Sequence, residues 1–240
     1  QQNNGGKMNT QRRYILENIE NFRDLGGYPS KYGCTKFGRF FRGGTVDRPT
    51  ENDIKTLKEL NVTTVIDLRG DFEFNNQPND MERLTDNANH VSLYELNVAE
   101  AKGMKITITE VYEYIVDNYK ENVYKALIAV ADAPDGAVFY HCFLGKDRTG
   151  ILSMLLLTIA GVSEDDIVAD YQLTYTYLEN YMYTHADTLW DTDPEMHYSL
   201  PQTMRSLLSY IKNKYGSVED YIRKIGLIDY DLEKIRKRFY

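Results

Sequence analysis

From residue 141 to residue 150 the chain reads His-Cys-Phe-Leu-Gly-Lys-Asp-Arg-Thr-Gly, which puts Cys142 six positions before Arg148. An apolar run, Ala137 to Tyr140, precedes this segment, and a helical pattern, Thr149 to Ala160, follows it. In a turn between strand and helix, successive backbone N–H groups can converge on an anion. The helix start adds unpaired donors and the positive end of its dipole. The backbone at Phe143, Leu144, Gly145 and Lys146 is the expected cradle. Gly145 permits a conformation that a side chain hinders, and Arg148 can hold two oxygens of one phosphate in its planar fork, which lysine cannot copy. The same positive field favours the ionised, attacking form of the Cys142 sulfur. The chemistry that fits is displacement at phosphorus: Cys142 takes the phosphoryl group, and water then hydrolyses the phosphocysteine. No metal or other cofactor is expected. The Thr149 hydroxyl is placed to hydrogen-bond the departing thiolate or to cap the helix, and the two roles are compatible. Lys146 reads as an extra phosphate contact or as a solvated charge. An inert buried cysteine is the bland alternative for Cys142, but glycine, arginine and threonine fall where an anion cradle needs them.

The elements that must hold this loop follow from periodicity. Phe37 to Phe41 alternates as a short strand ending at Gly43 and Gly44, and Thr50 to Leu60 is a helix capped by Thr50 with Asp53 in the capping-box position. Val62 to Leu68 is β-branched and nearly continuous, as a strand buried on both faces requires, and Val91 to Leu96 reads as another strand with a polar excursion between them. Thr109 to Ala131 carries apolar residues at helical spacing, as one long helix or two consecutive ones, ended by Pro134 and Gly136. Ser163 and Ser217, each followed by acidic residues, start further helices, so the C-terminal third is helical. Strands separated by helices imply an α/β fold with a mostly parallel central sheet flanked by helices. Residues 1–10 are polar and read as a disordered tail, leaving 11–240 as one domain.

The ten-residue segment resembles the catalytic loop of the protein-tyrosine-phosphatase superfamily, whose motif is His-Cys, five residues, Arg, then Ser or Thr. Every position of that motif is matched. NFRDLGG from Asn21, FFRGG from Phe40, VIDLRGDFE from Val65, DIVADYQLT from Asp166 and GSVEDYIRKIGL from Gly216 are similar to an atypical bacterial branch of tyrosine phosphatases. The resemblance runs from about Asn21 to the end. It implies action on phosphotyrosine, with phosphoserine, phosphothreonine and phosphoinositides as further substrates that the Lys146-Asp147 pair would suit. Asp24 and Arg42, within the similar stretches, are expected near the site or bracing it.

Related enzymes commonly supply the general acid from an aspartate on a separate loop. No Trp-Pro-Asp tripeptide is present, and the sole tryptophan, Trp190, follows the cysteine. Family architecture offers Glu100, after the strand ending near Leu96, and Asp71, after VIDLRG. Asp147, inside the loop beside Arg148, ranks first, as acid or as the partner that orients Arg148. A sulfurtransferase and a non-catalytic phosphate-binding module are the competing readings; the Cys142, Arg148 and Thr149 combination disfavours both.

Cys34 could pair with Cys142 under oxidation, but a small buried side chain is the favoured reading. His185, Asp191, Asp193 and His197 match no closed zinc pattern, so no metal site is expected. Tyr171, Tyr175, Tyr177, Tyr181 and Tyr183 fit helix packing, with a mobile lid over 171–198 as the alternative.

With 42% hydrophobic and 27% charged residues the chain has an ordinary globular mixture, able to bury a core without staples. Its net charge of −8 excludes a general attraction to nucleic acid or acidic membranes, so an anion site must be local. The longest apolar run, Ile151 to Ala160, is too short to span a bilayer. A soluble monomer is expected, whose partner is a phosphorylated protein or phosphoinositide substrate. The chain opens at Gln1, which leaves room for a removed targeting segment, so cytoplasmic and exported locations both stand.

Overall fold

The computed structural model describes residues 10–77, 79–95, 106–185 and 198–240. Short strands come first: β1 (Arg23–Asp24), β2 (Pro29–Ser30), β3 (Gly33–Cys34) and β4 (Phe40–Gly43). Helix α1 (Glu51–Glu59) leads to β5 (Val62–Asp67), the short helix α2 (Asp71–Asn76), a 3-10 turn at Met81–Arg83 and strand β6 (Ala88–His90). Helices α3 (Ile108–Asn118) and α4 (Lys120–Ala131) precede β7 (Ala137–His141). The described remainder is helical: α5 (Asp147–Ile159), α6 (Glu164–Thr184), α7 (Pro201–Tyr215), α8 (Val218–Lys224) and α9 (Asp229–Phe239).

The main sheet has the order β1-β4-β7-β5-β6, with β4, β7, β5 and β6 parallel and β1 antiparallel to β4. β7 is central, so both of its faces must be covered. Val138 and Tyr140 enter a core shared with the helices from α3 to α9, while Ala137 and Phe139 enter a second core under α1. In that second core Phe22 stacks on Phe41 at 5.2 Å and meets Phe139 edge-on at 5.0 Å. Helix α5 is buried along nearly its whole length, which explains why its sequence is apolar all round rather than on one stripe. The register sets Gly43 and Asp67 level with His141. The segments leaving β4, β5 and β7 therefore emerge together at one edge of the sheet, where open α/β sheets place their sites.

The expected mixed fold and helical C-terminal third are present, and the Thr50 capping box and the Ser163 and Ser217 caps form as anticipated. The strand expected from Val91 to Leu96 is instead Ala88–His90, paired with β5 through Val65, Ile66 and Asp67. An edge strand needs backbone partners more than an apolar face, so the polar Asn87–His90 stretch serves; Leu96 lies outside the described residues. The 109–131 region is two helices divided at Tyr119. The helix after the loop starts at Asp147 rather than Thr149, bringing Arg148 and Thr149 into its first turn. The expected tail falls almost wholly outside the described residues, and Arg13 already bridges to Arg23. Among the described residues no helix is long and apolar enough to cross a membrane.

Candidate active site

Cys142 leaves the end of β7 at the sheet edge, only 2% exposed, with the loop to Lys146 curling in front of α5. What shapes the loop is a set of donors outside it. The Thr45 amide donates to the Phe143 carbonyl at 2.9 Å. Asn21 Nδ2 donates to the carbonyls of Leu144 at 2.9 Å and Gly145 at 3.1 Å. Arg42 Nη2 donates to the Gly145 carbonyl at 2.8 Å. In a trans peptide unit the C=O and the next N–H point opposite ways. Outward-held carbonyls of 143, 144 and 145 therefore turn the amides of Leu144, Gly145 and Lys146 inward, as an anion nest requires. Gly145 has φ of 68°, and a Cβ there would run into the Gly43 carbonyl, so only glycine fits.

Arg42 can act as a prop because it is itself held. Its Nη1 donates to Asp170 Oδ2 at 2.6 Å, Arg23 Nε donates to Asp170 Oδ1 at 3.1 Å, and the Tyr28 hydroxyl donates to the same Oδ1 at 3.1 Å. Burial opposes ionisation of Asp170, but Arg23 and Arg42 outweigh it and lower its pKa to about 2. Arg23 is lowered from its usual value by burial and by Arg42. The Asp170 carboxylate is the shared counter-charge of two buried guanidinium groups.

On the other side, Glu73 from the third position of α2 clasps Arg148: Nη1 donates to Oε2, and Nη2 to Oε1 at 3.1 Å. Nη1 also donates to the Tyr94 carbonyl at 3.2 Å. A guanidinium has five N–H donors. Three are used among the described residues, which leaves Nε–H and one Nη2–H side by side on one edge, the pair needed to grip two phosphate oxygens. Burial would lower the Arg148 pKa, but Cys142, Glu73 and Asp147 together raise it.

Asp147 opens α5 with its side chain about one-third exposed; Oδ1 accepts from the Tyr112 hydroxyl at 2.6 Å and lies 3.4 Å from Lys146 Nζ. The Tyr112 and Tyr171 hydroxyls are 2.7 Å apart. Lys146 is buried rather than a solvated surface charge. Thr149 does not cap the helix: Lys146 is the N-cap residue, and the buried Thr149 Oγ1 has no hydrogen-bond partner among the described residues. That orphaned hydroxyl, one residue after Arg148, suits a contact made only during reaction. His141 is fully buried, with Nδ1 3.3 Å from the Cys142 carbonyl and 3.9 Å from Asp67; burial lowers its pKa although Asp67 pulls the other way.

The structure thus gathers Cys142, Arg148, Asp147, Phe143, Leu144, Gly145, Lys146 and Thr149 into one loop and helix start. Asp71 is not among them: its side chain is exposed, with Oδ1 3.9 Å from His90 Nδ1. Asp71 and Glu73 are two residues apart in α2, about 200° around the helix axis, so the face that brings Glu73 to Arg148 is not the one Asp71 occupies. Glu100, Trp190, Asp191, Asp193 and His197 lie outside the described residues. Arg42 braces the loop as expected, whereas Asp24 fixes a neighbouring turn by accepting from the amides of Gly26 and Gly38, both at 2.6 Å. Cys34 is exposed on β3, contrary to a buried role, and both cysteines are free. Of the suspected lid, residues to Thr184 continue α6; Tyr171 packs inward while Tyr175 and Tyr183 face solvent, and 186–197 lie outside the described residues. Glu73, Asn21, Tyr112 and Asp170 were not singled out by sequence reasoning. Three of them sit in or beside stretches quoted for their resemblance, VIDLRGDFE, NFRDLGG and DIVADYQLT, which was the available signal.

Comparison with known proteins finds phosphatases. A tyrosine-protein phosphatase of Nostoc commune is 26% identical over 223 residues, covering 83% of this chain and 73% of that protein. The triple specificity protein phosphatase PtpB of Mycobacterium tuberculosis is 27% identical over 182 residues, covering 63% of this chain and 65% of its own length. Among solved structures, TpbA of P. aeruginosa aligns over 79% of this chain and 88% of its own, at 16% identity and a TM-score of 0.41. The family model described as the tyrosine phosphatase family matches residues 14–240, and the chain belongs to that family.

Proposed function

We propose that this chain is a metal-independent cysteine phosphatase that hydrolyses phosphotyrosine through a phosphocysteine intermediate, with residues 11–240 acting as one catalytic domain. The observation that carries this reading is the placement of a buried cysteine and a clasped arginine about one nest of inward amides. Phosphate oxygens bind the amides of the loop and the free edge of Arg148. The Cys142 sulfur attacks phosphorus in line with the leaving oxygen; the S–P bond forms, the P–O bond breaks, and Asp147 gives its proton to the departing phenolate oxygen. In the second step Asp147 takes a proton from water as the water oxygen bonds to phosphorus. The S–P bond then breaks, and the Thr149 hydroxyl donates a hydrogen bond to the released thiolate. Positive charge for both steps comes from Arg148, Lys146 and the α5 dipole, the roles a metal ion would otherwise fill.

Lys146, a buried cation 3.4 Å from Asp147, supports extension to phosphoserine, phosphothreonine and phosphoinositide substrates, and the mycobacterial relative's name records a specificity wider than one substrate class. The test is a parallel assay of a phosphotyrosine peptide, a phosphoserine peptide and phosphoinositides, each with and without chelator. Turnover of the phosphotyrosine peptide undiminished by chelator is expected. Turnover of phosphoinositides alone would reassign the principal substrate, and loss of all activity on chelation would refute the metal-free chemistry.

A further inference from the structure

Tyr112 projects from α3 and Tyr171 from α6, both buried, and their hydroxyls form a chain that ends on Asp147 Oδ1. A hydroxyl has one proton to donate. With Asp147 ionised, Tyr112 must donate to Oδ1, so Tyr171 must donate to Tyr112: the direction of the chain is fixed. Both phenols are held as neutral donors, since burial first and the charge of Asp147 next raise each above the ordinary tyrosine value. The tether is stiff at its far end. Tyr171 packs against Gly150, where an added Cβ would come within 3.1 Å of its ring, and it follows Asp170, the residue that anchors Arg42.

The consequence falls on the other oxygen. Oδ1 carries the Tyr112 hydrogen bond and faces Lys146 Nζ at 3.4 Å, so a proton placed there would displace a donor and sit beside a positive charge. Among the described residues no hydrogen bond reaches Oδ2. We propose that Tyr112, backed by Tyr171, is a positioning residue for Asp147, occupying Oδ1 so that Oδ2 alone carries the proton delivered to the leaving oxygen and later collected from water. This rests on Asp147 being the general acid, and it names the group that makes a loop aspartate fit for that task. Neither tyrosine touches the substrate in this account; both act through Asp147.

The experiment compares wild type, Tyr112→Phe, Asp147→Asn and the double variant on aryl phosphates whose leaving phenols differ in basicity, with kcat and KM measured separately. Tyr112→Phe is expected to lower kcat about tenfold for the most basic leaving groups, equivalent to about 1.4 kcal/mol, while acidic leaving groups and KM stay near wild type. In the Asp147→Asn background the Tyr112→Phe change should have no further effect. Tyr171→Phe, one step back in the chain, should act in the same direction and more weakly, and a thermal melt of each variant confirms the fold. If Asp147→Asn steepens the leaving-group dependence while Tyr112→Phe slows all substrates equally, or adds fully to Asp147→Asn, the Tyr112 assignment is overturned and the acid stands. If Asp147→Asn leaves the dependence unaltered, the acid assignment fails and takes the Tyr112 role with it.

Discussion

Glu73 holds Arg148 end-on through both carboxylate oxygens, and this clasp decides which edge of the guanidinium meets phosphate. The pair is mostly buried, with side-chain exposures of 19% and 10%. Losing one partner of a charge-assisted hydrogen bond costs roughly 1.5–3 kcal/mol, which for a transition-state contact is about 10- to 100-fold in rate. Glu73→Gln should lower kcat/KM for an aryl phosphate by that factor with little change in melting temperature. An unchanged kcat/KM would mean that Arg148 orients itself without help.

That clasp marks the limit of what the sequence shows by itself. The loop from His141 to Gly150 was legible because its chemistry is local: nucleophile, glycine, cation and helix start lie within ten residues, and backbone geometry does the rest. The inner strands β5 and β7 were legible from β-branched and apolar runs, whereas the polar edge strand β6 was not. Glu73 was not, because its role depends on β5 lying beside β7, a neighbour relation that periodicity does not encode. Asp71 entered the sequence reading only as an alternative general acid; in α2 it is the third residue, Glu73, that reaches Arg148, and it also accepts from the Gly70 amide at 3.0 Å. Tyr112 was hidden by its own burial, lying beside Val111 on a face read simply as core.

Asp170 neutralises two buried arginines, so Asp170→Asn leaves uncompensated charge in the core. Breaking a buried pair in this way costs roughly 3–5 kcal/mol, read as a lower urea midpoint at neutral pH. The sign of the pH dependence follows from the depressed pKa. The carboxylate contributes stability above the ordinary value of 3.8, and that contribution is lost as pH falls through about 2. The gap between wild type and variant should therefore narrow across that acid window; a gap constant down to the lowest pH would contradict the ion-pair account.

Gly145→Ala tests the shape of the nest. The new methyl group would meet the Gly43 carbonyl at a left-handed backbone position, forcing the loop open. Displacement of a binding group by an ångström can cost about 100-fold, and a loss of that order in kcat/KM is expected. The buried side of the loop is packed by Asn21 and Arg42, so relief can come only by moving the amides. Activity within twofold of wild type would show that the nest tolerates a different path.

Thr149→Val removes a buried hydroxyl, one residue after Arg148, that has no hydrogen-bond partner among the described residues. If it serves the departing thiolate, the first step should be spared and the second slowed. Rapid mixing with an aryl phosphate should then show a burst of phenol followed by a slow steady state. Equal slowing of burst and steady state would instead assign Thr149 to binding.

The most direct measurement is to quench the enzyme during turnover of a labelled aryl phosphate in the presence of chelator and map the bound phosphate by peptide mass spectrometry. Phosphate is expected on the Cys142 sulfur, more of it in Thr149→Val, and none of it in Cys142→Ser, which should also lack turnover. Phosphate on another residue, or full activity in Cys142→Ser, would contradict the phosphocysteine route.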